Sequence, residues 1–331
     1  MKKTLKKSFA VLMAVLVLLT SIGVSLCAYA TTQTTIDVNK KMLETVTGPG
    51  SNHENLEDGF AAASQIIWDG LNELCRKAGT ELSKISFTLM GLAGIDHPYQ
   101  YEIMCKMLRD KGLENFEVYN DGFIVVKAGS ETGVAIGYNC GTGVCCNGID
   151  VDGNRMMLAG LGDFSGDISG GGNIVVKAFE LIYNELFLGL EKTLITDMIM
   201  KEYGFTRREE LLGLIEKIEG ENGDDYIRTF VSAFFEAAKQ GDKPALEYCE
   251  RMAERGARLI AALSKELNYG DGEEVEVVLS GSINVKLDNK AYLDMLLEKA
   301  EKYSGKKLKF IKLTQPPVTG CVNWILQDFA N

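Results

Sequence analysis

The sequence predicts an α/β protein with a mainly parallel sheet flanked by helices, and two observations support this. Short apolar runs alternate with segments of helical periodicity between residues 60 and 128, which is the pattern of strand–helix–strand units. Turn signals rich in glycine or aspartate follow these runs. The 331 residues, 46% hydrophobic and 24% charged, suffice for two domains with well-filled cores.

The first half of the chain supplies the alternating elements. In chain order they are predicted at Phe60–Lys77 (helix), Ile85–Met90 (strand), Tyr99–Lys111 (helix), Phe116–Tyr119 (strand) and Phe123–Ala128 (helix). The longer helical segments repeat apolar residues every three to four positions, whereas the strands are continuous apolar runs.

The second half begins with a predicted antiparallel meander, because three short strands are joined by tight turns. These strands are Gly133–Tyr138, Val144–Ile149 and Arg155–Ala159. A long helical stretch follows from Ile174 to about Leu267. The remaining predicted elements are the strand Val275–Leu279, the helix Ala291–Tyr303, the strand Lys307–Leu313 and the helix Val318–Phe329.

Residues 1–30 have the pattern of an export signal. Lysines precede the apolar run Phe9–Leu19, and Ala28-Tyr29-Ala30 has the form of a cleavage site. The alternative is an uncleaved membrane anchor, through which alone the protein would contact the membrane.

Composition limits the function classes. The net charge of −11 provides no basic excess to neutralise phosphates, which argues against nucleic acid as a partner. With only His53 and His97 in the chain, histidine-rich zinc sites are excluded.

The seven cysteines after Cys27 lie mostly in apolar segments and predict reduced core thiols, which are typical of the cytoplasm. The cysteines and the N-terminal segment therefore predict opposite locations.

Asp121 is the predicted catalytic residue. It follows the strand Phe116–Tyr119, and open α/β sheets place ligands at the carboxyl ends of their strands. A carboxylate there can orient a sugar hydroxyl and accept its proton during phosphoryl transfer. The alternative is that Asn120-Asp121-Gly122 forms only a turn and helix cap.

Two glycine-rich segments predict a phosphate site. Gly141-Thr142-Gly143 follows a predicted strand, where glycines let phosphate approach the backbone and the threonine hydroxyl adds a donor. Gly166–Gly172 carries four glycines and Asp167 directly before a helix, whose free amides would suit an anion. A hairpin turn and a flexible surface loop are the respective alternatives.

Three further segments are candidate ligand contacts. Asp96 can contact sugar hydroxyls or cap the helix that begins at Tyr99. Asn52-His53 can bind hydroxyls or belong to a solvated loop, and Gly281-Ser282 closes a strand and can pack against adenosine. The adjacent Cys145-Cys146 is expected to alternate across a strand rather than to bind metal.

Taken in order, these segments resemble the BadF/BadG/BcrA/BcrD ATPase family, which includes N-acetylglucosamine kinases of the actin-like ATPase (ribonuclease H-like) fold. The resemblance extends from about Val46 to the C-terminus. It rests on residues 50–55, 91–98, 120–121, 140–143, 165–172, 278–282 and 316–320.

The resemblance implies a two-domain sugar kinase fold, with residues 31–128 plus 315–331 as the N-terminal domain and 129–314 as the C-terminal domain. ATP with Mg²⁺ and a sugar would bind in the cleft between them, and Asp121 would be the catalytic base. The implied sugar contacts are Asn52, His53, Asp96 and Asn120. The implied nucleotide contacts are Gly141, Thr142, Gly143, Asp167, Gly170, Gly281 and Ser282.

The N-terminus departs from the family pattern. Family members begin with a strand and an Asp-Gly-Gly-x-Thr-Lys-like turn that holds phosphates, and no such turn occurs before Gly48. The first strand and this phosphate turn are therefore expected to be missing or replaced, unless the start site is wrong. Ile168 also stands where many sugar kinases of the family have an acid.

The predicted function is ATP-dependent phosphorylation of N-acetylglucosamine or a related amino sugar. One alternative is an exported sugar-binding homologue without catalysis. Another is an ATPase activator of a dehydratase, a branch with a cysteine three residues before Gly-Thr-Gly, where this chain has Tyr138. Whether the protein forms a homodimer is left open.

Overall fold

The computed structural model describes residues 11–17, 31–37, 42–220, 223–270 and 274–329. Contacts divide the chain into two compact units. The first unit comprises the described residues up to Ala128 and those from Gln315 onward, and the second extends from Gly129 to Thr314.

The first unit is built on a five-stranded sheet with strand order β3-β2-β1-β4-β5. Its strands are β1 (Val11–Val17), β2 (Thr31–Asp37), β3 (Met42–Gly48), β4 (Ile85–Leu92) and β5 (Phe116–Asn120). The first three form an antiparallel meander, and β1, β4 and β5 run parallel. The parallel strands therefore end at the same edge of the sheet.

The position of the first strand is occupied rather than empty. Val11–Val17 lies within the segment interpreted as an export signal, yet it pairs with β2 on one side and β4 on the other. Of the two expectations, replacement of the first strand is confirmed. The phosphate turn would fall in residues 18–30, outside the described residues.

The described residues of the first unit include four α-helices. They are α1 (Gly59–Lys77), α2 (Pro98–Asp110), α3 (Asp121–Gly129) and, far along the chain, α11 (Val318–Trp324), which continues as a π-helical turn to Phe329. Ile67, Leu71 and Leu74 of α1 recur at helical spacing and are fully buried in the core of this unit. The predicted α/β alternation is confirmed.

The second unit repeats the strand order of the first, as β8-β7-β6-β9-β10. Its strands are β6 (Ala135–Cys140), β7 (Val144–Ile149), β8 (Arg155–Leu158), β9 (Glu274–Ser280) and β10 (Lys307–Lys312). Here too the first three strands form an antiparallel meander, as predicted, and β6, β9 and β10 run parallel.

Helices make up most of the rest of the second unit. They are α4 (Gly171–Leu188), α5 (Leu194–Glu202), α6 (Leu214–Ile218), α7 (Gly223–Lys239), α8 (Lys243–Glu266), α9 (Ser282–Val285) and α10 (Lys290–Ser304). Phe230, Phe234 and Tyr292 are fully buried in its core. Within the described part of the chain, no helix has the length and apolarity needed to cross a membrane.

Candidate functional site

The carboxyl ends of β4 and β5 bring two candidate segments together. Leu92 pairs with Asn120 in the parallel register, so the turn after β4 and the start of α3 after β5 lie at one edge of the sheet. Asp121 is the first residue of α3 and is only 7% exposed. Its carboxylate is thus at a helix N-terminus, where the helix dipole favours negative charge.

A hydrogen bond joins the two segments directly. Asn120 Nδ2 donates to Asp96 Oδ1 at 2.7 Å, and Asn120 Oδ1 accepts from the Gly122 amide at 2.8 Å. The cap expected as the alternative for this segment is therefore present, but Asn120 provides it. Asp121 is not needed for that bond.

The side chain of Asp96 does not cap α2. Gln100 does so, because its Oε1 accepts from the amides of Asp96 at 2.8 Å and His97 at 2.7 Å. Burial and the nearby charge of Glu54 raise the pKa of Asp96, while His97 and the bond from Asn120 oppose the rise. Sequence reasoning missed Gln100, although a glutamine three residues after a helix N-cap is a recognisable capping signal.

The loop that carries Asn52 and His53 is not solvated. Asn52 is 7% exposed and His53 8%, and Asn52 Oδ1 accepts from the Glu54 amide at 3.0 Å. The His53 ring stacks on Phe60 with ring centroids 3.7 Å apart. The solvated-loop alternative is therefore wrong.

Gly94 brings this loop to the turn after β4. It has a φ of +75°, and a Cβ there would lie 2.5 Å from Asn52 Oδ1 and 2.9 Å from His53 Nδ1. Only glycine permits both the backbone conformation and this approach. The candidate sugar contacts from three separate segments are thus neighbours within the first unit.

Two buried polar atoms of this cluster have no hydrogen-bond partner among the described residues. They are Ser51 Oγ and His53 Nδ1. Burial lowers the pKa of His53, with the charge of Glu54 opposing, so the imidazole is neutral at physiological pH. Because buried polar groups are normally satisfied, these atoms suit the hydroxyl or amide groups of a ligand.

In the second unit, the turn Gly141-Thr142-Gly143 connects β6 and β7 and contacts the start of α4. The Gly171 amide donates to Gly141 O at 2.8 Å, and the Gly172 amide to Thr142 O at 3.1 Å. These amides are not free, so the expectation of open donors is wrong for them. Gly170, with a φ of +95°, permits the approach, since its Cβ would lie 2.6 Å from Gly143 Cα.

Gly281 places the segment Gly281-Ser282 beside the turn Gly141-Thr142-Gly143. It follows β9 with a φ of +87°, and a Cβ there would lie 2.2 Å from Cys140 O. Ser282, the first residue of α9, is adjacent. The segment predicted to contact adenosine and the turn predicted to hold phosphate are thus in backbone contact.

Asp167 organises the loop that precedes α4. Its Oδ2 accepts from the amides of Gly160 at 2.8 Å and Gly162 at 3.1 Å and from Ser165 Oγ at 2.8 Å. Its Oδ1 is buried with no hydrogen-bond partner among the described residues. The carboxylate therefore shapes the loop and keeps one acceptor available.

Ile168 is held in place by contacts within the second unit. Its side chain packs against the core of the second unit, and its carbonyl accepts from Tyr248 Oη at 2.8 Å. An apolar residue suits this position, where an acid would lose hydration.

The cysteines of the second sheet are structural. Cys145 is partly exposed and Cys146 fully buried on successive positions of β7, so the predicted alternation is confirmed. Burial raises the pKa of the Cys140 thiol to about 12, which disfavours the thiolate that a cluster ligand requires. Among the described residues, no three His, Cys, Asp or Glu side chains form a metal-binding group.

The model of the BadF/BadG/BcrA/BcrD ATPase family matches residues 22–320. The chain belongs to this family. No curated protein matches it significantly.

Solved structures show the same fold at low identity. A candidate N-acetylglucosamine kinase from Chromobacterium violaceum superposes with a TM-score of 0.67 at 17% identity, covering 97% of this chain and 100% of that one. A candidate N-acetylglucosamine kinase from Porphyromonas gingivalis gives 0.59 at 15% identity, covering 96% and 99%. The ROK family glucokinase of Streptomyces griseus, solved with glucose and AMPPNP, gives 0.54 at 14%, covering 95% and 97%. The predicted fold class is confirmed as that of the sugar kinases.

Proposed function

We propose that the protein transfers the γ-phosphoryl group of ATP to a hydroxyl of N-acetylglucosamine or a related amino sugar. One observation carries this proposal. Polar side chains from three separate segments are gathered at the carboxyl ends of β4 and β5, which is where open α/β sheets bind ligands.

The sugar would be bound by side chains of the first unit. Asp96 and Asn120 hold each other in place, so their remaining hydrogen-bonding capacity has a fixed direction. His53 offers a ring nitrogen with no hydrogen-bond partner in the described part of the chain, and Asn52 lies beside it. Directional donors and acceptors of this kind suit ring hydroxyls and an acetamido group.

Asp121 would act as the general base. Its carboxylate accepts the hydroxyl proton while the sugar oxygen bonds to the γ-phosphorus and the bond from that phosphorus to the bridging oxygen breaks, releasing ADP. It lies at the first turn of α3, where the helix dipole stabilises negative charge.

The nucleotide would be bound by the glycine segments of the second unit. The turn 141–143 presents the exposed Thr142 beside glycines, and Gly281-Ser282 adjoins it. Mg²⁺ bound with ATP would neutralise phosphate charge, and it is held largely by phosphates and water. Asp167 Oδ1 is a buried acceptor for which the described residues offer no partner, and it would fit a metal-bound water.

The test is an ADP-release assay with MgATP and a panel of N-acetylglucosamine, glucosamine and glucose. Asp121→Asn should lower kcat on the best sugar by about 10³-fold. Asp110→Asn is the matched control, because that carboxylate is exposed on α2 of the same unit and pairs with Lys106 at 2.6 Å. An active Asp121→Asn protein would exclude this base, and an inactive wild-type protein would exclude the kinase.

A sugar-binding homologue without catalysis is the second candidate. Residues 18–30, which connect β1 to β2, contain no charged residue, whereas transfer relies on charge stabilisation. A ROK family transcriptional regulator also shares the fold, with a TM-score of 0.56 at 10% identity, covering 96% of this chain and 78% of that one. Calorimetry separates the candidates, because sugar binding without ATP binding favours the second.

We propose that the N-terminal segment stays attached to the protein. Cleavage after Ala30 would remove β1, which pairs with strands on both sides. Retention favours the cytoplasm, where ATP is available, over export. The intact mass of the protein purified from its own cells tests this, and a mass lacking residues 1–30 would contradict it.

A further inference from the structure

We infer that the C-terminal segment Val318–Phe329 positions Asp121 by holding the middle and the C-terminal end of helix α3 and the strand β5 that leads into it. The inference rests on the proposed role of Asp121. The segment and α3 belong to the same unit although almost 200 residues separate them in sequence, and three independent contacts join them.

The first contact is a close backbone approach. A Cβ at Gly320 would lie 2.0 Å from Ile124 O and 2.9 Å from the Ala128 amide, so only glycine allows α11 to reach α3. From the sheet side, a Cβ at Gly91 would lie 2.1 Å from Ile124 Cγ1. The middle of α3 is therefore held between two glycines, one at the end of β4 and one on α11.

The second contact caps the C-terminal end of α3. Asn323 Nδ2 donates to Lys127 O at 3.0 Å. The last carbonyls of a helix have no partner within the helix, so this side chain satisfies one of them. It also fixes the axial position of α3, whose opposite end begins with Asp121.

The third contact involves Trp324 of α11, which touches Tyr119 before Asp121 and Lys127 after it. The Trp324 ring stacks on Tyr119, two residues before Asp121, with ring centroids 4.1 Å apart and an interplanar angle of 9°. Lys127 Nζ lies 5.1 Å from the centroid of the same ring and donates to Gln327 Oε1 at 3.1 Å. One buried indole thus contacts both the last turn of α3 and the strand that leads into it.

These contacts matter because phosphoryl transfer depends on placement. A displacement of about 1 Å at a reacting group can cost on the order of 100-fold in rate. Trp324, Asn323 and Gly320 are therefore positioning residues, which act on the reaction only through Asp121.

The experiment compares Trp324→Leu with Trp324→Phe in the full chain. Leucine removes the flat ring from Tyr119 and Lys127, whereas phenylalanine keeps a ring for both. Trp324→Leu should lower kcat by about 10- to 100-fold with the KM for ATP unchanged. In Trp324→Phe, kcat should stay within about threefold of wild type. Full activity of Trp324→Leu, or equal losses in both variants, would overturn the inference.

A second measurement does not depend on activity. Hydrogen exchange of the amides of residues 121–129 should be faster in Trp324→Leu and Asn323→Ala than in wild type. Thr319→Ala is the control, because its hydroxyl bonds to Pro316 O, three residues earlier in the chain, at 2.8 Å. Exchange in α3 of this variant should match wild type. Unchanged exchange in the first two variants contradicts the inference. If exchange rises as expected but the wild type transfers no phosphate, only the proposed function fails.

Discussion

The two units have the same sheet topology but build their candidate sites from different atoms. In each, an antiparallel meander continues into two parallel strands. In the first unit, the residues at the ends of the parallel strands offer carboxylates, amides and an imidazole. In the second unit, Gly281 at the end of β9 is in backbone contact with the glycine-containing turn 141–143 between β6 and β7.

The difference follows from what each site is expected to recognise. Sugar hydroxyls need directional hydrogen-bond partners on several sides, which side chains from separate segments can supply. Phosphate and adenosine need close approach to the backbone, which a Cβ would prevent. One topology can therefore serve two kinds of ligand.

The largest expected effect concerns β1. Deleting residues 1–30 should abolish folding, because it leaves β2 and β4 without the strand between them and folded proteins have a net stability of only about 5–15 kcal/mol. Circular dichroism and size-exclusion chromatography give the readout. Deletion of residues 1–10 alone, which keeps β1, is the control. A folded protein lacking residues 1–30 would support cleavage and export instead.

Gly281→Ala should have the next largest effect. The Cβ would meet Cys140 O at 2.2 Å at a φ of +87°, so we expect about 3 kcal/mol of destabilisation and loss of ATP binding with sugar binding retained. Urea unfolding and calorimetry measure these. Gly189→Ala is the control for backbone strain without a steric clash, because Gly189 has a φ of +67° and its added Cβ would have no described atom within 4 Å. It should cost about 1 kcal/mol and leave ATP binding intact.

Asn120→Asp should weaken the first site selectively. It places a carboxylate where Asn120 Nδ2 now donates to Asp96 at 2.7 Å, and such a loss costs about 1–3 kcal/mol. N-acetylglucosamine affinity at pH 8 should therefore fall by about 10- to 100-fold and partly recover at pH 5, as the carboxyl pair takes up a proton. ATP affinity should not change. Asn72→Asp, on the exposed face of α1, should leave both affinities unchanged.

The smallest effect is the pH dependence of stability from His53. Because burial lowers its pKa below 6.5, the unfolded chain binds more protons than the folded protein just below pH 6.5. The free energy of unfolding should therefore fall as the pH drops from 6.5 through the lowered pKa. In His53→Gln this component should be absent. Equal pH slopes for the two proteins would show that His53 is not buried as described.

Sequence reasoning predicted the strands and helices well where patterns are local. The meander at 133–159 and the helix at 60–77 depend on periodicity and turn residues, which neighbouring positions determine. It did not predict the strand at residues 11–17, because an apolar run of that length is equally typical of a signal and of a buried strand. Gln100 was missed because a cap depends on where the helix begins.

The sequence by itself determined the fold class, the family and the identity of the candidate residues, since all three depend on residue types in a fixed order. Only the tertiary structure decided that Asp96 bonds to Asn120, that Gly94 contacts Asn52 and His53, and that Trp324 stacks on Tyr119. Only the tertiary structure also showed that the two sheets share one topology, because no short sequence repeat indicates it. Contacts between distant segments depend on strand order and register, and these are set by packing of the whole chain.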